Sequence, residues 1–129
     1  MELGIKGEVA LVLGGTQGLA LACAQRLVEA GVRVILNGRD RAKGEDAARS
    51  LGSDARFVAG DVSDPSERAR LFDGARAIAR PITILVTNAA GPPPGQFGEH
   101  DRATWLKAIE TNMLAAIDMT ERCLPDMIG

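Results

Sequence analysis

Val9-Ala10-Leu11-Val12-Leu13-Gly14-Gly15-Thr16-Gln17-Gly18-Leu19-Ala20-Leu21 is an apolar run of strand length, then two glycines and a short polar turn, then an Ala/Leu-rich stretch. That order reads as a strand, a tight turn and the start of a helix, the layout in which unpaired backbone N–H groups meet a phosphate. Gly14 and Gly18 supply the turn, and Ala20 stands where a third small residue lets the helix pack close to the strand. The spacing is G-x-x-x-G-x-A, which differs from the dinucleotide fingerprint G-x-G-x-x-G. No Gly-Lys-Ser/Thr follows, which excludes a P-loop.

Outward from this turn the pattern repeats. Strand-length apolar runs are predicted at Val9–Leu13, Val32–Leu36, Arg56–Ala59 and Ile82–Thr87. Helix-period segments fall at Gly18–Ala30, Arg41–Leu51 and Pro65–Ala79, and one long helix is predicted over Ala103–Met127. Strand–helix alternation argues for a doubly wound parallel sheet of the Rossmann type, and continuous rather than alternating apolar runs argue that both sheet faces are covered. Gly31 and Gly52 mark helix ends. Asp64-Pro65-Ser66-Glu67 predicts an N-cap, a proline at the first helical position and a capping box with Glu67, and Asp101 is a candidate cap for the last helix.

The chain has 129 residues, 46% hydrophobic and 25% charged, consistent with one domain over 1–129. A net charge of −2 and only four Trp and Phe residues give no electrostatic or stacking case for nucleic acid. No run approaches the roughly 18 apolar residues of a membrane span, and the first residues show no basic region followed by a long apolar stretch, so a cytoplasmic setting is expected. Cys23 and Cys123 lack metal or disulfide spacing and are expected as helix-face or core thiols. His100, between Glu99 and Asp101, is expected on the surface.

Further turns follow the later strands. After the second strand comes Asn37-Gly38-Arg39, with no acid before Asp40 to hold the ribose hydroxyls of NAD. Gly38 leaves room for a phosphate and Arg39 offers a planar fork of donors to bind it, which points to NADP(H), with NAD(H) disfavoured. Asp61 after the third strand can accept from an adenine amino group while Val62 lines the ring; a plain turn aspartate reads almost as well. After the fourth strand, Asn88, Ala89 and Ala90 are small enough for close backbone approach, and Asn88 can tie strand ends together. All of these turns fall at the carboxyl ends of strands, where open α/β sheets bind ligands.

These motifs together resemble the N-terminal half of a short-chain dehydrogenase/reductase, of the 3-oxoacyl-carrier-protein reductase-like type. The family's Thr-Gly-x-x-x-Gly-Ile-Gly matches Leu13 through Ala20, its Asp-Val matches Asp61-Val62, and its Asn-Asn-Ala-Gly matches Thr87-Asn88-Ala89-Ala90. Gly91–Gly95 with Gln96-Phe97 resembles a proline-rich active-site loop in one branch. The resemblance implies a Rossmann-type domain that stops after the fourth strand and the long helix following it. It implies cofactor binding by Gly14, Thr16, Gln17, Gly18, Leu19, Gly38, Arg39, Asp61, Val62, Asn88, Ala89 and Ala90, and places the helix asparagine of the catalytic tetrad on Asn112. Ala20 and Ala90 replace glycines, Leu13 and Thr87 replace Thr and Asn, and Gln17 replaces a frequent basic residue. The family's Ser and Tyr-x-x-x-Lys have no counterpart, and the chain contains no tyrosine.

The expected function is therefore NADP(H)-dependent hydride transfer between a carbonyl and an alcohol, with this stretch carrying the cofactor half and inactive alone. A non-catalytic nucleotide-binding or regulatory module of the same fold is the alternative. A phosphoacceptor domain would align Asp61 and Thr87, but Gly14-Gly15 stand where it needs an acidic pair for magnesium. Two further expectations concern partners. Ile82–Val86 is expected as an apolar sheet edge, and Trp105, Ile109, Asn112 and Ala116, with Ala108, Ala115 and Met119 beside them, form a helix stripe. The resemblance implies homo-oligomers through the Ala103–Met127 helix.

Overall fold

A computed structural model describes residues 2–89 and 93–129. Four strands, β1 (Val9–Val12), β2 (Arg33–Gly38), β3 (Ala55–Ala59) and β4 (Ile84–Val86), form one sheet. Their order is β3-β2-β1-β4 and every pairing is parallel. Registers such as Leu11 with Ile35 and Leu85 align the strand ends, so the following turns emerge along one edge.

Between the strands run α1 (Gly18–Glu29), α2 (Arg41–Leu51) and α3 (Pro65–Ile78). Side chains of β1 alternate between two cores. Ala10 and Val12, with Val34 and Leu36 of β2, pack against Ala20 and Ala24 of α1 and Ala47 and Ala48 of α2. Val9, Leu11 and Leu13, with Ile35, pack against Leu71, Phe72 and Ala75 of α3 and against Met119 and Cys123 further on. Two filled faces explain why β1 and β2 read as unbroken apolar runs. β4 is a half-buried edge strand.

Backbone chemistry sets the helix starts. Asp40 Oδ1 accepts from the Lys43 N–H at 3.1 Å, and Asp64 Oδ1 accepts from the Ser66 N–H at 2.9 Å. The capping box expected at Asp64 does not close, because Glu67 Oε1 accepts from the Asp61 N–H at 3.2 Å instead. The first turn of α3 is thereby tied to the loop after β3.

The long helix predicted over Ala103–Met127 is interrupted. It comprises α4 (Arg102–Ile109), a π turn over Glu110–Leu114, and α5 (Ala115–Ile128). Asn112 Nδ2 donates to the Ala108 carbonyl at 3.0 Å, taking the acceptor that the backbone N–H of an α turn uses. The Ala115 N–H reaches the Glu110 carbonyl, five residues back. Asp101 Oδ1 accepts from the Thr104 N–H at 2.9 Å, so the expected cap forms. A short 3-10 turn, Phe97–Glu99, precedes it, and Phe97 stacks edge-on against Trp105 with centroids 5.8 Å apart. His100 is half-buried rather than fully exposed.

Candidate nucleotide-binding site

β1 is followed by the turn that opens the site. Gly14 and Gly18 both lie in the left-handed region, at φ +61° and +63°, which L side chains rarely adopt. A Cβ on Gly14 would also sit 3.0 Å from the Asn88 side-chain and carbonyl atoms. The turn is pinned from both sides: the Gly15 N–H donates to the Asn37 carbonyl at 2.9 Å, and the Leu13 N–H to Val86 at 2.9 Å. Asn88 Nδ2 donates to the Gly14 carbonyl at 3.4 Å, the strand-end tie expected from the sequence.

The start of α1 differs from the others. α2, α3 and α4 each open on an aspartate whose carboxylate accepts a backbone N–H. α1 opens on Gln17, with no side-chain cap bond and no acidic residue in its first turn. Its leading amides are therefore left for another acceptor, where the helix dipole favours negative charge.

After β2, Gly38 lies against Thr16; a Cβ there would fall 2.8 Å from Thr16 Cγ2. Close packing of the two turns accounts for this glycine, alongside the phosphate room expected from the sequence. Arg39 is exposed, and among the described residues it forms no ion pair. Asp40 is committed to capping α2. Lys43, in the first turn of α2, donates from Nζ to Gln17 Oε1, bringing a cation to the glycine turn.

The loop after β3 is held by a lattice of bonds. Asn37, buried at 1% exposure, donates from Nδ2 to the Val58 carbonyl at 3.2 Å and the Gly60 carbonyl at 3.1 Å. Ser63 donates its N–H and hydroxyl to Asp61 Oδ1 at 2.9 and 2.7 Å. Burial pushes the Asp61 pKa up, but these bonds, with the charges of Arg39 and Lys107, hold it below the usual 3.8.

Gly14, Thr16, Gln17, Gly18, Leu19, Gly38, Arg39, Asp61, Val62, Asn88, Ala89 and Asn112 all line one cleft of about 780 Å³. Ala90 lies outside the described residues. The sequence reading missed the opposite wall, made by Thr104, Lys107, Ala108 and Thr111 of α4 and the π turn, whereas Pro93 and Pro94, which also line the cleft, fall in the proline-rich stretch it singled out. A smaller hollow of about 230 Å³ between Asn88, Thr111, Asn112 and Val62 continues it. Asn112 is exposed at its mouth.

Behind the cleft is a second feature the sequence did not reveal. The Arg68 side chain, 5% exposed, donates from Nε to Asp118 Oδ2 at 2.7 Å, from Nη2 to Glu110 Oε1 at 2.8 Å, and from Nη1 to the Val62 carbonyl at 2.7 Å. Burial works against its charge, yet the bonds to Glu110 and Asp118 hold its pKa above the ordinary arginine value.

A parallel sheet in the order β3-β2-β1-β4, with helices on both faces and a cleft where the strand order reverses, defines a Rossmann-like α/β protein. More narrowly, the chain belongs to the short chain dehydrogenase family, whose family model matches residues 8–129. The NADP-dependent (R)-specific alcohol dehydrogenase of Lentilactobacillus kefiri is 37% identical over 111 residues, covering 84% of this chain and 44% of that protein. A rhamnolipids biosynthesis 3-oxoacyl-acyl-carrier-protein reductase of Pseudomonas aeruginosa is 28% identical over 123 residues, covering 94% of this chain and 48% of that protein. Among solved structures, L-sorbose reductase from Gluconobacter frateurii, complexed with NADPH and L-sorbose, superposes with a TM-score of 0.92 at 29% identity. That match covers 98% of this chain and 50% of the reductase. The chain spans about half the length of the curated relatives it matches.

Proposed function

We propose that these residues form the cofactor-binding half of an NADP(H)-dependent oxidoreductase that interconverts a carbonyl and an alcohol. The observation that carries the reading is the start of α1 at left-handed Gly18, without a side-chain cap, after a turn that left-handed Gly14 begins, beside Arg39. When bound, the nicotinamide supplies or accepts hydride at its C4. The amides of Gly18 and Leu19 bind the pyrophosphate, and Thr16 and Gln17 shape the turn that presents them. Arg39 takes the 2′-phosphate, with Gly38 keeping the approach clear. Asp40 turns Oδ1 to the start of α2 and does not line the cleft, whereas Arg39 does, which supports NADP(H) over NAD(H). Asp61 accepts from the adenine amino group, Val62 lines the ring, and the backbone at Asn88 and Ala89 runs along the dinucleotide, a contact that the family resemblance extends to Ala90.

By the resemblance, Asn112 belongs to a tetrad whose Ser, Tyr and Lys have no counterpart among these 129 residues, and the stretch alone is inactive. Titrating the complete protein with NADPH and NADH tests the assignment. Tighter NADPH binding is expected; equal affinity, or tighter NADH binding, overturns it. The alternative is a non-catalytic nucleotide-binding or regulatory module of the same fold. A Tyr-x-x-x-Lys encoded downstream of residue 129 decides for the enzyme, and a stop codon for the module.

The reading extends to organisation: one domain over 1–129, a small-molecule substrate and a cytoplasmic, homo-oligomeric protein. Among the described residues no helix is long and apolar enough to cross a membrane. Trp105, Ile109, Met113 and Ile117 are each 40% exposed or more along α4 to α5, which supports association through that face.

A further inference from the structure

We propose that Arg68 is a positioning residue that sets the separation of the two walls of the nucleotide cleft, clamping the Val62 strand-end loop to the turn that carries Asn112. The inference rests on the nucleotide reading of that cleft.

Arg68 stands in the first turn of α3, where a cation opposes the helix dipole, and its side chain is 5% exposed. A buried guanidinium is unfavourable unless its donors are matched by carboxylates or carbonyls, and an apolar residue would fill the same volume at lower cost. Here all three nitrogens are matched, at 2.7 to 2.8 Å, by groups from three different segments. One is the carbonyl of Val62, which lines the cleft on the β3 side. Another is Glu110, the first residue of the π turn, two positions before Asn112 on the opposite wall. The last is Asp118 of α5, which also accepts from Arg122 Nε at 3.0 Å. Two arginines and two carboxylates make the network neutral, so its formation adds no net charge behind the site.

The planar fork makes the coupling geometric. A guanidinium holds three acceptors in one plane at fixed angles, whereas an ammonium would hold them loosely. The loop wall is already braced by Asn37 and Ser63. Arg68 therefore transmits that fixed position to the less regular wall. Among the described residues the π turn's own bonds are local, Asn112 Nδ2 to the Ala108 carbonyl and the Ala115 N–H to the Glu110 carbonyl, and neither ties it to the facing wall.

The test uses the complete protein carrying Arg68→Met, Arg68→Lys or Asp118→Asn. Amide hydrogen exchange is measured without nucleotide, and NADPH affinity by calorimetry. Arg68→Met is expected to accelerate exchange at residues 60–63 and 110–114 together, leave protection in β1, β2 and α1 intact, and weaken NADPH binding about tenfold. Arg68→Lys is expected to restore the melting temperature but neither wall's protection. Asp118→Asn, which keeps the Val62 and Glu110 bonds, shifts both readouts in the same direction by roughly threefold and carries the test if Arg68→Met does not fold. Wild-type exchange and affinity in the variants, or protection lost evenly over the whole sheet, overturns the proposal. Should the wild-type protein bind neither NADPH nor NADH, the nucleotide reading fails, and the exchange measurement alone still decides whether Arg68 couples the two walls.

Discussion

Replacing Arg39 separates cofactor choice from fold. Arg39 is exposed, and among the described residues it forms no ion pair, so Arg39→Ala loses only the influence of its charge on Asp61 and should change stability by less than about 0.5 kcal/mol. A hydrogen bond to a charged group contributes about 1.5–3 kcal/mol, and solvent exposure places this one at the lower end. A loss of about 1.5 kcal/mol corresponds to roughly tenfold in Kd, confined to the cofactor bearing the 2′-phosphate. Arg39→Asp adds repulsion against a phosphate of about −1.5 to −2 charges and gives the ribose diol an acceptor. The NADPH/NADH affinity ratio should then fall by roughly 100-fold. Calorimetric titration of wild type and both variants, at low and high salt, reads this directly, and the NADPH advantage should shrink as salt rises. Equal losses for both cofactors, or no loss for either, would refute the assignment of the 2′-phosphate to Arg39.

Other expectations concern the scaffold and the site's charge. A Cβ at Gly44 would fall 2.0 Å from the Phe57 ring, which is itself 8% exposed, so Gly44→Ala should lower stability by about 1–3 kcal/mol in thermal melts. Asn37→Ala strips both hydrogen bonds from the Val58 and Gly60 carbonyls and should cost about 1–3 kcal/mol. Because the folded pKa of Asp61 lies below 3.8, its contribution to stability is complete above that value and disappears as the pH falls through the folded pKa. NADPH affinity should accordingly show no Asp61 titration between about pH 5 and 8, and Asp61→Asn should flatten the acid limb of the stability curve. Burial and the Asp126 carboxylate push the Cys123 thiol up to about 11, whereas Cys23 is exposed. A thiol reagent at neutral pH should therefore label Cys23 in the native protein and Cys123 only after unfolding, as mass spectrometry of the labelled peptides would show.

Legibility in the sequence followed the range of the interactions. β1, α1, α2, α3 and the start of α4 were readable because their signals are local: apolar runs filled on both faces, a glycine turn, Asp64 as the cap of α3 and Asp101 as the cap of α4. The π turn was hidden because Asn112 competes for the Ala108 carbonyl, and spacing alone does not show that a polar side chain will turn back on its own helix. The Asp64–Glu67 capping box failed for a related reason, since Glu67 found a better placed donor in Asp61. Gly38 read as room for a ligand, but the structure adds a packing demand from Thr16 that only the fold brings near.

Long-range features left almost no trace in sequence order. Arg68 meets its carboxylates 42 and 50 residues away, and its position in a helical pattern reads as an ordinary solvated face. Lys107 reaches the cleft only because α4 is folded over the strand ends, and Lys43 only because α2 starts beside the Gln17 turn. A cation in the first turn of α3, against the dipole, was the one available sign that acids would gather around it.

The central claim is that the uncapped start of α1 grips the pyrophosphate of NADP(H) while Arg39 grips its third phosphoryl group. A crystal structure of the complete protein with NADPH tests this most directly. The account expects pyrophosphate oxygens within about 2.7–3.2 Å of the Gly18 and Leu19 amides, and the 2′-phosphate against Arg39. Nucleotide density away from that turn, or an adenosine end pointing away from Asp61 and Arg39, would contradict it.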